Sequence, residues 1–337
     1  MRFMNRREFL AWSAKVALAT GAWAGAGPLL AATDRPAKAV NLPSDSIVSL
    51  PGHGTAFVVN DFHASWEDYD TFKKKTLVFE KMQNGQDVYL VINGDTVDTK
   101  PGHSQPDGDV RILDDLMEQA EKLSRAGARQ RLVLLLGNHE AQNMALYACL
   151  FFNQDMLVLC PGKDKKIHHP VFLKWLEEEK KKWPSLDESQ KERSLLMYVS
   201  QFNFAQRMKR KHYDFIKTFG LMARCQNGVM IMHGAYPRPG STNPAYDLLC
   251  EREGDGKDFL DAIKGEMIVN GHTAPNLFGT RYKGSHDPQR GMGMAGGDRV
   301  IIAPSYGGGG TFLALDLSRT YLTEKDFILG REVTRLR

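Results

Sequence analysis

Five times along the chain a short apolar run breaks off into Gly, Asp, Asn and His. The stretches are TAFVVNDFHAS, DVYLVINGDTVD, RLVLLLGNHE, GVMIMHGAYP and EMIVNGHTAP. Continuous apolar runs of this length suit strands covered on both faces, because both sets of alternating side chains must then be apolar. Residues 132–136 predict such a strand, and Gly137 with Asn138 fits a turn into a helix. Residues 109–126 carry Ile112, Leu113, Leu116, Met117, Ala120 and Leu123 on one helical face, which predicts an amphipathic helix between the second and third strands. Strands alternating with helices predict an α/β sheet. VIIAPSYGGGGTFLALDL reads as strand, glycine loop, strand, and residues 40–52 read as a flexible lead. Residues 143–218 break the rhythm with long helical patterns and two charge runs, EEEKKKW at 177–183 and RMKRKH at 207–212. They predict a helical insert or cap whose charges form a solvated face.

Composition changes the picture mainly at the N-terminus. The 337 residues are 42% hydrophobic and 25% charged, enough for one large core or two domains. The opening MRFMNRREFLAW places Arg6 and Arg7 before Phe9, Leu10 and an Ala- and Gly-rich stretch too short and weak for a stable membrane span. It resembles a bacterial twin-arginine (Tat) signal over residues 1–39, with cleavage expected after Ala32 or Ala39. That resemblance implies passage through the Tat export machinery, a periplasmic mature protein of residues 40–337, and no stable membrane anchor. Residues 1–39 hold six basic and two acidic residues; taking these from 44 and 40 leaves 38 of each. The mature chain is then formally neutral, so its charge gives no argument for nucleic acid or membrane binding. Cys149, Cys160, Cys225 and Cys250 have no CxxC spacing, so a structural zinc site is not expected, and pairing is left open between a disulfide and free thiols.

The polar clusters carry the chemistry. They deliver Asp61 and His63, Asp95, Asn138 and His139, His233, and His272 at five strand ends. In open α/β sheets the loops beyond the carboxyl ends of strands converge on one crevice, where ligands bind. Glycine beside most of these residues allows close approach of backbone and ions. Carboxylate, imidazole and one neutral amide, with no thiolate, suit divalent Mn, Fe or Zn, and a carboxylate able to bridge two ions is the expected centre of a two-metal site. His53, His103, His168, His169, His212 and His286 lack such a strand-end context.

In order, D61-x-H63, G94-D95-x-x-D98, G137-N138-H139-E140, H233-G234 and G271-H272-T273 resemble the calcineurin-like metallophosphoesterase superfamily. Ala274 stands where many of its members place another histidine, and GDTVD is similar to the G-D-x-V-D-R-G of the phosphoprotein phosphatase branch. GNHEAQNM and VNGHTAPN are similar to that branch's bacterial Shewanella-like members, which often prefer phosphotyrosine. The resemblance implies two packed mixed β-sheets flanked by helices, an α/β/β/α sandwich. It implies two divalent metal ions: Asp61, His63 and Asp95 would hold one, and Asp95, Asn138, His233 and His272 the other. His139 would be the general acid, oriented by Asp98. It further implies phosphomonoester hydrolysis by a metal-activated hydroxide, on phosphorylated protein or peptide or a small phosphoester. A nucleotide or dinucleotide polyphosphate hydrolase and a weakly active binding protein of the same fold are the alternatives.

The chain departs from the pattern after Asp98. Thr99 and Lys100 stand where the family has a phosphate-gripping arginine, and a lysine offers a point charge in place of a planar fork. Lys100 is therefore expected to contact substrate, with Arg252 in LLCERE, Arg238 in GAYPRP and Tyr306 in APSYGGGG as further candidates.

Overall fold

In the computed structural model the described residues are 46–98, 107–141, 143–144, 204, 207–234, 249, 267–273, 285–287, 292–295, 300–302, 311–321 and 333–335. In chain order the strands are β1 (Ile47–Leu50), β2 (Thr55–Val59), β3 (Val88–Asn93), β4 (Leu132–Leu135), β5 (Met222–Cys225), β6 (Val229–Met232), β7 (Met267–Asn270), β8 (Ser285–Asp287), β9 (Met292–Ala295), β10 (Val300–Ile302), β11 (Thr311–Asp316) and β12 (Val333–Arg335). The helices are α1 (Trp66–Thr76), α2 (Val78–Gln83), α3 (Gly108–Arg125) and α4 (Arg210–Ile216). Among the described residues no helix is long and apolar enough to cross a membrane.

The strands form two mixed sheets, in the orders β1-β5-β6-β7-β10-β9-β8 and β12-β11-β2-β3-β4. In the second sheet β2, β3 and β4 run parallel, so their carboxyl ends open on the same side. The alternation of side chains along these strands sorts them between two cores. Leu90, Ile92, Leu132 and Leu134 face the helices with Phe62, Tyr69, Phe72, Phe79 and Ile112. Tyr89, Val91, Val133 and Leu135 face the first sheet, meeting Val229, Ile231, Met267 and Val269. That double burial is the reason the runs are continuously apolar rather than alternating. Leu136 and Gly220 join the edge of the second sheet to the entry of β5, through Leu136 N–H to Gly220 O at 2.8 Å and Gly220 N–H to Leu134 O at 2.9 Å.

Two expectations change here. The lead read over residues 40–52 contains β1, whose four residues pair in parallel with β5; an isolated IVSL is too short to announce itself. The amphipathic helix is present as α3, but its inner face also takes Asp109 and Gln119, while Met117 is half-buried. Each fully buried Leu or Ile of that face contributes about 1.5–3 kcal/mol.

Most of residues 143–218 lies outside the described residues. Its C-terminal end is not a solvated face alone: Phe204, Met208, Tyr213 and Ile216 are in the helix-side core. The basic run is matched to α3. Arg207 reaches the buried Asp109 at 2.9 Å, and Lys211 and His212 both meet Asp114, the latter at 2.9 Å. Of the cysteines, Cys225 is a free buried thiol, pushed up to about 12 by burial; Cys149, Cys160 and Cys250 lie outside the described residues.

Burial pushes the Asp109 carboxyl up to about 6, against the pull of Arg207. A group that holds its proton more tightly in the folded than in the unfolded chain stabilises most below its unfolded pKa. That contribution is lost as pH rises from about 4 through about 6. Roughly two pKa units correspond to on the order of 3 kcal/mol. We expect Asp109→Asn to flatten the decline by about that amount when urea denaturation is compared at about pH 4 and about pH 7. Equal pH slopes for parent and variant would contradict a desolvated Asp109.

Candidate metal centre

The loops that leave β2 and β3 run side by side and stay bonded to each other. Asp61 N–H donates to Gly94 O at 3.1 Å, His63 N–H to Asp95 O at 2.9 Å, and Ala64 N–H to Thr96 O at 2.9 Å. Yet the backbone has left the strand conformation. Asp61, His63, Ala64, Asp95, Asp98 and His272 all have positive φ, between 45° and 66°. Residues other than glycine adopt this region at a cost of order 1–3 kcal/mol each, and hold it only where surrounding bonds over-determine it. Here the cross-loop bonds do so, and the turns aim successive side chains into one crevice. Gly137 lets the third loop close in: a Cβ there would lie 2.2 Å from Asp95 Oδ1.

Asp95 is the hub. Its Oδ2 lies 3.2 Å from His233 Nε2, 3.7 Å from His63 Nε2 and 3.8 Å from His139 Nε2. Two sets of donor atoms share it: His63, Asp95 and His139, and Asp95, His233 and His272, each set within 4.8 Å. Asp61 Oδ1 is 3.7 Å from His63 Nε2, and Asn138 Oδ1 is 3.2 Å from His233 Nε2. The His139 and His63 rings meet edge to face at 4.9 Å, and those of His233 and His272 at 5.1 Å. The eight residues Asp61, His63, Asp95, Asp98, Asn138, His139, His233 and His272 thus come together from five strand ends. His139, expected as an acid rather than a ligand, sits as near Asp95 as His63 does.

Protons are tightly coupled in this crevice. Burial pushes Asp95 up, but His233, His139 and His63 outweigh it and hold the carboxyl well below its ordinary range. Burial pushes His139 and His233 down, but Asp95, joined by Asp98 at His139 and by Asp61 at His233, raises each to about 9. His233 Nδ1 lies 2.8 Å from Asn93 O, which can only accept, so this nitrogen carries the proton. Its Nε2 then faces two oxygens, of Asp95 and Asn138, each at 3.2 Å. A lone pair aimed at two acceptors is repulsive, so a second proton or a cation has to stand there. An imidazole whose far nitrogen is anchored to a backbone carbonyl is the arrangement in which metal-binding histidines are held.

Glu140 was quoted in the sequence without a role, and the structure gives it one. It is fully buried, and its Oε2 accepts from Asp95 N–H and Gly137 N–H, both at 2.9 Å. Its Oε1 accepts from Thr96 N–H at 2.6 Å and Val97 N–H at 3.2 Å. One carboxylate therefore ties the second and third loops together. The signal was in the spacing: Glu140 lies in the first helical turn, three residues after the N-cap Gly137, the place from which a capping-box glutamate reaches back. Asn143 is a second such residue; it bonds Asp98 Oδ2 at 2.6 Å, while His139 Nδ1 holds the same oxygen at 3.0 Å. Lys100, Arg252, Arg238 and Tyr306 lie outside the described residues.

The family model described as Calcineurin-like phosphoesterase matches residues 55–301. Among solved structures, a protein serine/threonine phosphatase from Saccharomyces cerevisiae is 15% identical, with 91% of this chain and 82% of that one covered and a TM-score of 0.39. A cold-active protein-tyrosine phosphatase of a psychrophilic Shewanella is 14% identical, with 85% of each chain covered and a TM-score of 0.38. A metallophosphoesterase from Sphaerobacter thermophilus is 10% identical, with 82% and 91% covered and a TM-score of 0.39. Scores this low add nothing to the argument. A search of curated proteins finds no match.

Glu140→Gln keeps one acceptor oxygen and turns an NH2 group toward two N–H donors. Two buried donors then lose their partner, at about 1–3 kcal/mol each, partly offset by removing a buried charge. We expect the variant to lose about 2 kcal/mol or more of folding free energy in urea denaturation. A variant as stable as the parent would rule out the tie between the loops.

Proposed function

The chain belongs to the calcineurin-like phosphoesterase family and is a phosphoric ester hydrolase, and from that premise we propose that it is a dimetal phosphomonoesterase. The observation that carries this reading is the convergence of three imidazole Nε2 atoms on Asp95 Oδ2 within 3.8 Å. The donor set fits divalent cations: it is buried apart from the half-buried His272, mixes imidazole with carboxylate, and presents His233 Nε2 to oxygen atoms with its Nδ1 already engaged. Asp61, His63 and Asp95 would hold one ion, and Asp95, Asn138, His233 and His272 the other, with Mn, Fe or Zn suited to them. When bound, such ions supply positive charge for phosphoryl oxygens and acidify water.

The remaining work falls to the chain's own groups. Asp98 Oδ2 holds the His139 Nδ1 proton at 3.0 Å, which leaves Nε2 to carry a proton into the crevice. His139 Nε2 would give that proton to the departing oxygen, a contribution of about 10²–10⁴-fold for a general acid. Lys100, Arg252, Arg238 and Tyr306 would grip the substrate. The phosphoprotein or phosphopeptide class, including phosphotyrosine, rests on GDTVD and on Ala274 beyond His272. Export as a folded, metal-loaded protein rests on Arg6, Arg7 and the Ala-rich stretch after them.

Asp95→Asn removes the charge common to both donor sets, and we expect it to abolish nearly all turnover and to lower bound metal measured by elemental analysis. Two retained metals with full activity would refute the assignment. The parent enzyme with added Mn is to be tested on phosphotyrosine and phosphoserine peptides, p-nitrophenyl phosphate, its bis ester and dinucleotide polyphosphates. Preference for the polyphosphates would overturn the monoesterase reading. For localisation, replacing Arg6 and Arg7 by Lys should leave uncut precursor inside the cell, and normal processing of that variant would argue against twin-arginine export.

A further inference from the structure

Beyond the residues that face the crevice lies a buried amide that the reaction scheme does not use. Asn143 is fully buried on the helical turn that carries His139, four residues further on. Its Nδ2 lies 2.6 Å from Asp98 Oδ2 and 2.8 Å from His139 O. Both neighbours can only accept, so the amide has one workable orientation, with the NH2 group toward them. His139 Nδ1 donates to that same Asp98 oxygen at 3.0 Å. Asp98 is itself buried at a positive φ of 66°, and among the described residues neither its Oδ1 nor Asn143 Oδ1 has a hydrogen-bond partner. The Asp98 carboxylate is therefore aimed at His139 through one oxygen, and Asn143 and the imidazole hold that oxygen between them.

We propose that Asn143 is a positioning residue for the leaving-group proton. It fixes the Asp98 carboxylate, and through it the plane of the His139 imidazole, so that Nε2 faces Asp95 and the crevice. The inference rests on the reading of His139 as the general acid. A four-residue helical spacing makes the coupling direct: the helix that places His139 also places the amide that clamps its orienting carboxylate. Without the amide, Asp98 can rotate about its side-chain bonds, and the imidazole loses its reference.

A defect in proton delivery has a signature that a general loss of structure lacks. p-Nitrophenyl phosphate has an acidic leaving group and needs little protonation, whereas phenyl phosphate needs much more. We expect His139→Gln to lower kcat/KM on phenyl phosphate by about 10²–10⁴-fold while sparing p-nitrophenyl phosphate in large part. Asn143→Ala should show the same direction of split, roughly tenfold. Asn143→Ser, which keeps a shorter donor, should recover part of it, and carries the comparison if the alanine variant does not fold. A second readout needs no turnover. In metal-free protein the Nδ1 proton of His139, assigned by its disappearance in His139→Gln, should exchange with solvent at least about tenfold faster in the Asn143 variants, because opening of the Asp98 contact is no longer opposed. Equal losses on the two substrates, or unchanged activity and exchange, would overturn the role of Asn143 while His139→Gln still shows its split. Absence of the split in His139→Gln would overturn the acid assignment, and the inference with it.

Discussion

Four carboxylates are buried around one crevice: Asp61, Asp95, Asp98 and Glu140 are each 4% exposed or less. Desolvated anions at such distances repel one another and are costly to bury unless each is matched by positive charge or by hydrogen-bond donors. The arrangement answers that demand separately for each group. Glu140 meets four backbone N–H groups, Asp98 meets an imidazole and an amide, and Asp95 meets three imidazoles. Even so, burial leaves Asp98 and Glu140 above the ordinary carboxylate range. The site is short of positive charge, and two divalent cations would make up the deficit where the imidazoles already converge.

The same demand explains the backbone. A carboxylate or imidazole at a regular strand end would point alternately up and down the sheet. Left-handed turns at Asp61, His63, Asp95, Asp98 and His272 redirect those side chains into one space. The strain is held by bonds that cross from loop to loop and from sheet to sheet. Asn93 Nδ2 donates to Met232 O at 2.9 Å, and Asn270 Nδ2 to Gly234 O at 3.0 Å. The first of these joins the two sheets at the edge where the ligand-type residues emerge.

Much of this was legible in the sequence, for a physical reason. Strands buried on both faces are continuously apolar, so each abrupt change to Gly, Asp, Asn or His marked a strand end, and all eight residues read as ligand, acid or orienter meet there. What stayed hidden depends on distance across the fold. IVSL gave no sign that it would pair with β5 as β1, because four residues carry too little pattern. Asp109 on the inner face of α3 broke the apolar stripe, and only its partner Arg207, 98 positions away, accounts for it. Glu140 and Asn143 stood inside the stretch GNHEAQNM, but their work is done on Asp95, Thr96, Val97 and Asp98, some 43 to 45 positions earlier.

The two sides of His139 also separate two kinds of control. Its Nε2 looks toward Asp95, whose negative charge is the largest single influence raising the imidazole to about 9 against burial, with the hydrogen bond and charge of Asp98 adding to it. Positive charge placed on Asp95 weakens that pull, so the acidity of His139 follows whatever Asp95 binds. Its Nδ1 looks toward Asp98, which is fixed by Asn143 and by the helical turn rather than by any ligand. Both carboxylates raise the proton affinity of the imidazole, but only the Asp95 side lies where a cation would change it. The aim of the imidazole and the change in its proton affinity therefore answer to different neighbours.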